Sequence, residues 1–205
     1  MVDILYSAIP PSSELYSRLQ SQKALARLLV WLFPYGCGIF RFFEVEPDEI
    51  YEILENVVEV YPDIFESKLE LDRVIAEFRS QLTLTRQAFP GIEDRTAMLE
   101  KCVDEIEQRL VQELTTRQVA DAREIVQKLL EGDRTFAPDL LSPEDETLGL
   151  ISRELVREGA SIFRQIVPRT MFAENEDWYL KQLQELKDLY LAADEHNEVI
   201  LVGLS

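Results

Sequence analysis

The most constraining feature of the sequence is a stretch of 38 residues, from Asp94 to Glu131, that contains neither proline nor glycine. Its apolar residues recur at steps of three and four, which predicts one apolar stripe along a helix. We expect the shorter segments of the chain to pack against this segment. The apolar positions are Met98, Leu99, Cys102, Val103, Ile106, Leu110, Leu114, Val119, Ala122, Val126 and Leu129.

The length of this segment predicts that it is interrupted. A single helix of 38 residues would be about 57 Å long at about 1.5 Å per residue. A compact chain of 205 residues is only roughly 43 Å across. Thr115 followed by Gln118 fits a capping box, and the apolar spacing slips between Leu114 and Val119. The sequence therefore favours two antiparallel helices or a marked kink over one continuous rod, which would instead suggest a coiled-coil dimer.

Short apolar runs at the two ends of the chain predict strands. Ile4–Ile9 is stopped by two prolines, and Val199–Val202 is rich in β-branched residues. A lone strand would leave its backbone groups unpaired. We therefore expect both runs to join one small sheet, with Ile39–Val45 as a third candidate strand. The predicted fold is a mainly α (α+β) multi-helix domain around a long or kinked helix, and an all-α bundle is the alternative. We expect residues 1–205 to form a single domain.

Caps and turn residues place the other helices. The clearest start is that of the helix predicted from Ser142. It has a serine cap, a proline at the first helical position and acidic residues in the first turn. The predicted helices run from Ser13 with a restart near Ser21, from Pro47 to Tyr61, from Leu69 to Ala88, from Ser142 through Leu148, Ile151 and Leu155 to Ile166, and from near Asn175 with Trp178 on its buried face.

Charge and cysteine usage exclude several classes of protein. Acidic residues outnumber basic ones by 39 to 21, which gives a net charge of −18. This argues against a nucleic-acid footprint, which needs a basic stripe, and against docking on anionic membranes. The apolar run Ala24–Phe33 is too short for a bilayer span of roughly 20 residues. Two cysteines 65 residues apart do not suggest a disulfide framework, so we expect a cytoplasmic protein.

One pair of residues offers catalytic chemistry. His196 is the single histidine, which excludes sites that need two. Cys37 precedes one predicted strand and His196 precedes another, so adjacent parallel strands would bring them together. The imidazole of His196 would then activate the thiol of Cys37, and Asp194 or Asn197 would orient the imidazole. The competing interpretation is that Cys37 fills apolar space and His196 caps a helix.

Two surfaces are candidates for binding a partner. Acidic residues between positions 48 and 59 lie on one side of the predicted helix after Pro47 and suit a partner with a basic surface. Six aromatic residues lie between positions 31 and 43, and those nearest the turn are expected to reach the surface. The same cluster would suit the wall of an apolar pocket. The candidate binding residues are Trp31, Tyr35, Asp48, Glu52, Glu55 and Glu59.

The leading functional hypothesis is a non-catalytic, cytoplasmic protein-interaction or regulatory module that binds another protein. The first alternative is a cofactor-free enzyme that uses Cys37 and His196. The second alternative is an apolar small-molecule binder that uses the aromatic cluster. Homodimerisation through the segment from Asp94 to Glu131 is compatible with all three. We expect no cofactor, no metal site, no nucleic-acid partner and no membrane partner.

Overall fold

The computed structural model describes residues 3–33, 38–41, 54, 65, 67–137, 148–173 and 175–204. Its helices are α1 Glu14–Ser21, α2 Lys23–Leu32, α3 Gly38–Arg41, α4 Lys68–Ala88, α5 Val103–Thr116, α6 Ala122–Glu131, α7 Arg153–Gln165 and α8 Asp177–Glu195. Its strands are β1 Ile4–Ile9, β2 Thr96–Leu99, β3 Arg134–Phe136, β4 Leu148–Ile151 and β5 Val199–Leu204. Short 3-10 turns occupy Ile92–Asp94 and Pro168–Thr170.

The strands form one antiparallel sheet in the order β2-β1-β5-β4-β3. The two terminal strands are neighbours, paired from Ile4 opposite Leu204 to Ile9 opposite Val199. The prediction of a mainly helical α+β fold, with strands from both ends of the chain in one sheet, is confirmed. The alternative of an all-α bundle is wrong.

Helices cover both faces of the sheet. Alternate residues of a strand point to opposite faces, so Gly203 and Val202 mark different sides. On the first face, the ring of Phe33 after α2 lies where a side chain on Gly203 would be. On the second face, the Glu131 carbonyl at the end of α6 lies against Gly149, which is in register with Val202. All six residues of β1 are buried, as expected for a sheet packed on both sides.

The predicted interruption of the long apolar segment is confirmed. Helix α5 ends at Thr116 and α6 begins at Ala122. Between them Gln118 and Asp121 adopt left-handed conformations, with φ of 60° and 54°. Such residues stop a helix and redirect the chain, so the alternative of one continuous rod is wrong.

Two segments predicted as helical are strands. Thr96–Leu99 pairs with β1, and Leu148–Ile151 pairs with both β5 and β3. Helix α7 begins only at Arg153, where the side chain of Ser152 accepts a hydrogen bond of 3.3 Å from the Leu155 backbone N–H. Apolar residues three apart are compatible with one helix and also with a buried strand followed by a helix. The spacing therefore predicted a helix where the structure has a strand.

Other predicted elements have mixed outcomes. The restart near Ser21, the helix to Ala88 and the last helix are confirmed, but Trp178 is 45% exposed rather than buried. The predicted strand Ile39–Val45 is wrong at its start, because Gly38–Arg41 is helical, and residues 42–45 lie outside the described residues. So do the helix start at 142–145 and, except for the helical Leu54, the helix from 47 to 61. In the described part of the chain, no helix combines the length and apolarity needed to cross a membrane.

Candidate functional site

The premise that would bring Cys37 and His196 together is wrong. It required a strand directly after Cys37, and the chain is helical there at Gly38–Arg41. Cys37 itself lies outside the described residues. His196 is exposed and stands at the C-terminal cap of α8, where its backbone N–H donates to the carbonyl of Ala192 at 3.0 Å. The position of His196 matches its interpretation as a helix-capping residue.

The two residues predicted to orient the imidazole bond to arginines of α7. Arg164 Nη2 donates to Asp194 Oδ2 at 2.7 Å, and Arg153 Nη2 donates to Asn197 Oδ1 at 2.8 Å. These bonds fasten the C-terminal end of α8 to α7. The side chains of Asp194 and Asn197 thus serve contacts between helices.

Cys102, the cysteine that the structure describes, lies in an environment that disfavours the thiolate form. Cys102 is 2% exposed, and its thiol donates a hydrogen bond of 2.7 Å to Gln182 Oε1. Burial, together with the nearby carboxylates of Asp3 and Glu100, raises the pKa of the Cys102 thiol to about 12. Since the thiolate is the nucleophilic form, Cys102 is a core residue, as its place on the apolar stripe predicted.

The aromatic cluster lies in the core where the structure describes it. Trp31 is 2% exposed, and its ring meets that of Phe65 edge-on with 6.4 Å between ring centroids. Phe33 and Phe40 are also buried. The expectation that Trp31 reaches the surface is therefore wrong. The other predicted binding residues, Tyr35, Asp48, Glu52, Glu55 and Glu59, lie outside the described residues.

The described surface offers a different site, at the end of the sheet formed by β3. This strand is last in the sheet order, and its one partner there is β4. Arg134 and Thr135 are exposed, whereas Phe136 is buried. The outer edge of β3 therefore carries backbone N–H and C=O groups that bond to no other described strand. Such an edge is a template for another extended segment.

The position of β3 is fixed by the end of α6. The last carbonyls of a helix have no partner within it. Here the Tyr190 hydroxyl donates to the Leu129 carbonyl at 2.6 Å, and the Tyr6 hydroxyl donates to the Leu130 carbonyl at 3.0 Å. Gly132 follows with a φ of 96°, a conformation that favours glycine, and turns the chain into β3.

The hairpin between β3 and β4 is held tightly. Gly149 lies so close to the Glu131 carbonyl that a Cβ atom there would overlap the oxygen. The Asp133 backbone N–H donates to the Leu150 carbonyl at 3.1 Å. The Asp133 carboxylate accepts from both the backbone N–H and the hydroxyl of Ser152, each at 2.7 Å. The edge strand is thus held in place by close backbone packing and by hydrogen bonds from the segment before it.

A cleft lies on each side of β3. The acidic cleft, of about 400 Å3, lies between the end of α6 and the sheet, and its lining includes Glu131, Asp133, Gly149 and Val202. The basic cleft, of about 390 Å3, lies between α1, α2 and the sheet. Arg134 and Thr135 line both. The lining of the basic cleft also includes Tyr16, Leu19, Gln20, Lys23, Phe136 and Leu150.

The two clefts lie on opposite faces of the sheet. Thr135, Gly149 and Val202 are in register across β3, β4 and β5, so they share the second face, where the acidic cleft lies. Arg134 is in register with Leu150, and both belong to the first face with the basic cleft. A strand added beside β3 would therefore direct alternate side chains into the two clefts.

The basic cleft combines hydrogen-bond donors with an apolar floor. Lys23 and the Tyr16 hydroxyl bond to no described residue, and Arg134 Nε lies 3.8 Å from Asp133 Oδ2. Burial raises the pKa of Tyr16 although Arg134 lowers it, so the phenol remains a neutral donor. The floor includes the buried side chains of Leu19 and Phe136. This arrangement suits a carboxylate attached to an apolar group.

Sequence reasoning missed this site because it predicted no helix or strand between Glu131 and Ser142. The signal was short: Thr135 and Phe136, two residues typical of strands, follow Gly132 and precede Pro138. Among the residues that the structure describes, no group of three or more His, Cys, Asp or Glu side chains is placed to hold a metal ion. No protein-family model, curated protein or solved structure matches the chain.

Proposed function

We propose that the chain is a non-catalytic protein-interaction module that binds an extended segment of a partner at the outer edge of β3. The observation that carries the proposal is an exposed edge strand between two clefts on opposite faces of the sheet. In this binding mode, backbone hydrogen bonds supply affinity, and pockets for alternate side chains supply specificity. The proposal keeps the leading hypothesis from the sequence and assigns the outer edge of β3 as its binding surface.

The shortness of β3 sets the expected strength of the complex. Its three paired residues provide few backbone bonds, so the side chains in the clefts must contribute much of the affinity. Small interfaces are typical of transient complexes. We therefore expect a reversible complex with a regulatory character, formed in the cytoplasm.

The acidic residues Asp48, Glu52, Glu55 and Glu59 are a second proposed surface, suited to a partner with a basic surface. This surface is supported by the charge pattern of the sequence alone. It makes a different demand on the partner from β3, because it requires complementary charge but no extended segment.

The proposal is tested by affinity capture from an extract of the native host, with the wild-type chain and two charge reversals as bait. Arg134→Glu changes the edge strand. Arg123→Glu is the matched control, because Arg123 is exposed on α6 and lies outside both clefts. We expect a near-stoichiometric partner that the wild type and Arg123→Glu retain and that Arg134→Glu loses.

Three other results would count against the proposal. Equal capture by all three baits would exclude β3 from the interaction, and a complete lack of partners would contradict the interaction function. In a fourth bait, Glu52, Glu55 and Glu59 are reversed together, and loss of the partner from this bait but not from Arg134→Glu would place the interaction on the acidic surface.

A further inference from the structure

The two faces of β3 differ in charge. Among the residues that the structure describes, the lining of the basic cleft contains Lys23 and Arg134 but no acidic residue. The lining of the acidic cleft contains two carboxylates, Glu131 and Asp133, and one cation, Arg134. In a chain with a net charge of −18, a cleft whose described lining has two cations and no carboxylate is a local reversal of charge. This reversal defines what the site can recognise.

The cations of the basic cleft are available to a ligand. The side chain of Arg134 is 63% exposed, and its contact with Asp133 is long at 3.8 Å. The Asp133 carboxylate already accepts two bonds of 2.7 Å from Ser152. Lys23 forms no ion pair with any described residue. An incoming carboxylate can therefore bond to Lys23 and Arg134 without breaking a strong ion pair.

The acidic cleft favours the opposite charge. Both oxygens of Asp133 already accept hydrogen bonds from Ser152. Glu131 is therefore the carboxylate of the acidic cleft that can accept further hydrogen bonds from a ligand. It is exposed, and its Oε2 accepts one hydrogen bond of 3.0 Å, from Gln127 Nε2. The backbone of Gly149 lies against the Glu131 carbonyl in this cleft. A basic side chain that enters the cleft can pair with the exposed carboxylate of Glu131.

We infer that the partner segment is an extended peptide with alternating charge, which places acidic and apolar side chains in the basic cleft and basic side chains in the acidic cleft. This inference rests on the proposed strand addition and specifies its ligand. In an extended chain, residues i and i+2 point to the same side. One glutamate and one valine two positions apart thus reach the cations and the apolar floor of the basic cleft, while the lysine between them faces Glu131.

The test uses synthetic peptides of about eight residues, enough to cover β3 and its flanks in extended form. The first peptide alternates between glutamate or valine on one side and lysine or serine on the other. The second has the same composition in an order that mixes the charges on both sides. A third carries lysine in place of glutamate and glutamate in place of lysine. Binding is measured by fluorescence anisotropy at low and moderate salt.

The expected result is that the wild-type chain binds the first peptide at least tenfold more tightly than the second. Lys23→Glu weakens this binding about tenfold, whereas Arg123→Glu leaves it unchanged. Lys23 is exposed in the first turn of α2, so its reversal leaves the core intact. The variant Lys23→Glu binds the third peptide better than the wild type does, because the charge reversal is matched on both partners.

Each other outcome overturns a specific statement. Equal binding of the first and second peptides, with slowed amide exchange in β3, overturns the charge pattern and leaves strand addition intact. Binding of the first peptide without slowed exchange in β3 overturns strand addition. Binding of octanoate as tight as that of the first peptide identifies the basic cleft as a small-molecule site and overturns the inference. So does a lack of binding by every peptide.

Discussion

The hydroxyl of Tyr6 donates a hydrogen bond of 3.0 Å to the backbone carbonyl of Leu130, which lies 124 positions further along the chain. Tyr6 belongs to β1, inside the sheet, and Leu130 belongs to the last turn of α6. The carbonyl has no partner within its own helix. The bond therefore joins the N-terminal strand to the helix end from which β3 emerges, and it couples the core to the candidate site.

Removal of the tyrosine hydroxyls at this helix end is expected to destabilise the protein. Tyr6→Phe and Tyr190→Phe should each lower the free energy of unfolding by about 1–3 kcal/mol, because each leaves a buried carbonyl without a partner. Urea denaturation measures the change. Tyr179→Phe is the matched control, since Tyr179 is half-buried and its hydroxyl bonds to no described residue. Equal stability of all three variants and the wild type would contradict the role of these hydroxyls.

The close approach of Gly149 to the Glu131 carbonyl makes a second prediction. A methyl group at this position would overlap the carbonyl oxygen. Gly149→Ala must therefore shift β4 or the end of α6, at a cost of about 1–3 kcal/mol. Ser161→Ala, at an exposed position of α7, is the control and should be nearly neutral. A thermal unfolding midpoint for Gly149→Ala equal to that of the wild type would show that this packing is looser than the structure indicates.

The terminal strands and the interruption of the long helical segment followed from the sequence because local signals specify them. Two prolines end the run from Ile4, and the apolar spacing slips after Leu114. Strands β2 and β4 did not follow. Each has only four residues, and each is specified by pairing with β1 or β5, which lie far away in sequence. Gly149 lies inside the predicted helix, and glycine disfavours a helix interior. This residue was the signal in the sequence against a helix at β4.

The candidate site could not be predicted from the sequence for the same reason. Arg134, Lys23 and Tyr16 come from three separate elements, and no spacing in the sequence links them. The charge pattern directed attention to residues 48–59 instead. The inert character of Cys102, in contrast, followed from its place on the apolar stripe, because burial is the largest cause of its raised pKa.

The buried carboxylate of Glu198 makes stability depend on pH. Glu198 is 1% exposed, accepts a hydrogen bond from Arg95, and has a second oxygen that bonds to no described residue. Burial raises the pKa of Glu198 from 4.5 to about 7, although the Arg95 guanidinium lowers it. The folded state thus holds this proton more tightly than the unfolded chain. The resulting stabilisation is fully present below pH 4.5 and is lost as the pH rises towards 7.

This dependence is measured by urea denaturation at pH 5 and pH 8. We expect Glu198 to account for about 2–3 kcal/mol of the loss of stability between them. Glu198→Gln, which resembles the protonated acid, should have a smaller difference between the two pH values than the wild type. Glu195→Gln, at an exposed position three residues earlier, should behave as the wild type does. An unchanged pH dependence in Glu198→Gln would show that Glu198 is ionised across this range.

The reactivity of the thiols separates the module from the thiol enzyme of the first alternative. In a Cys37→Ser background, the raised pKa of Cys102 predicts negligible labelling by iodoacetamide at pH 8 in the folded protein, and complete labelling in urea. Mass spectrometry measures both. Rapid labelling of the folded variant would show that Cys102 is accessible and ionised, against its burial and its bond to Gln182.

The outer edge of β3 is tested most directly by amide hydrogen exchange of the complex with a captured partner, compared with the free chain. Addition of a strand predicts slower exchange at Arg134–Phe136, together with protection of residues 16–23 across the basic cleft. Unchanged exchange at Arg134–Phe136, with protection at residues 48–59 instead, would contradict strand addition and place the partner on the acidic surface.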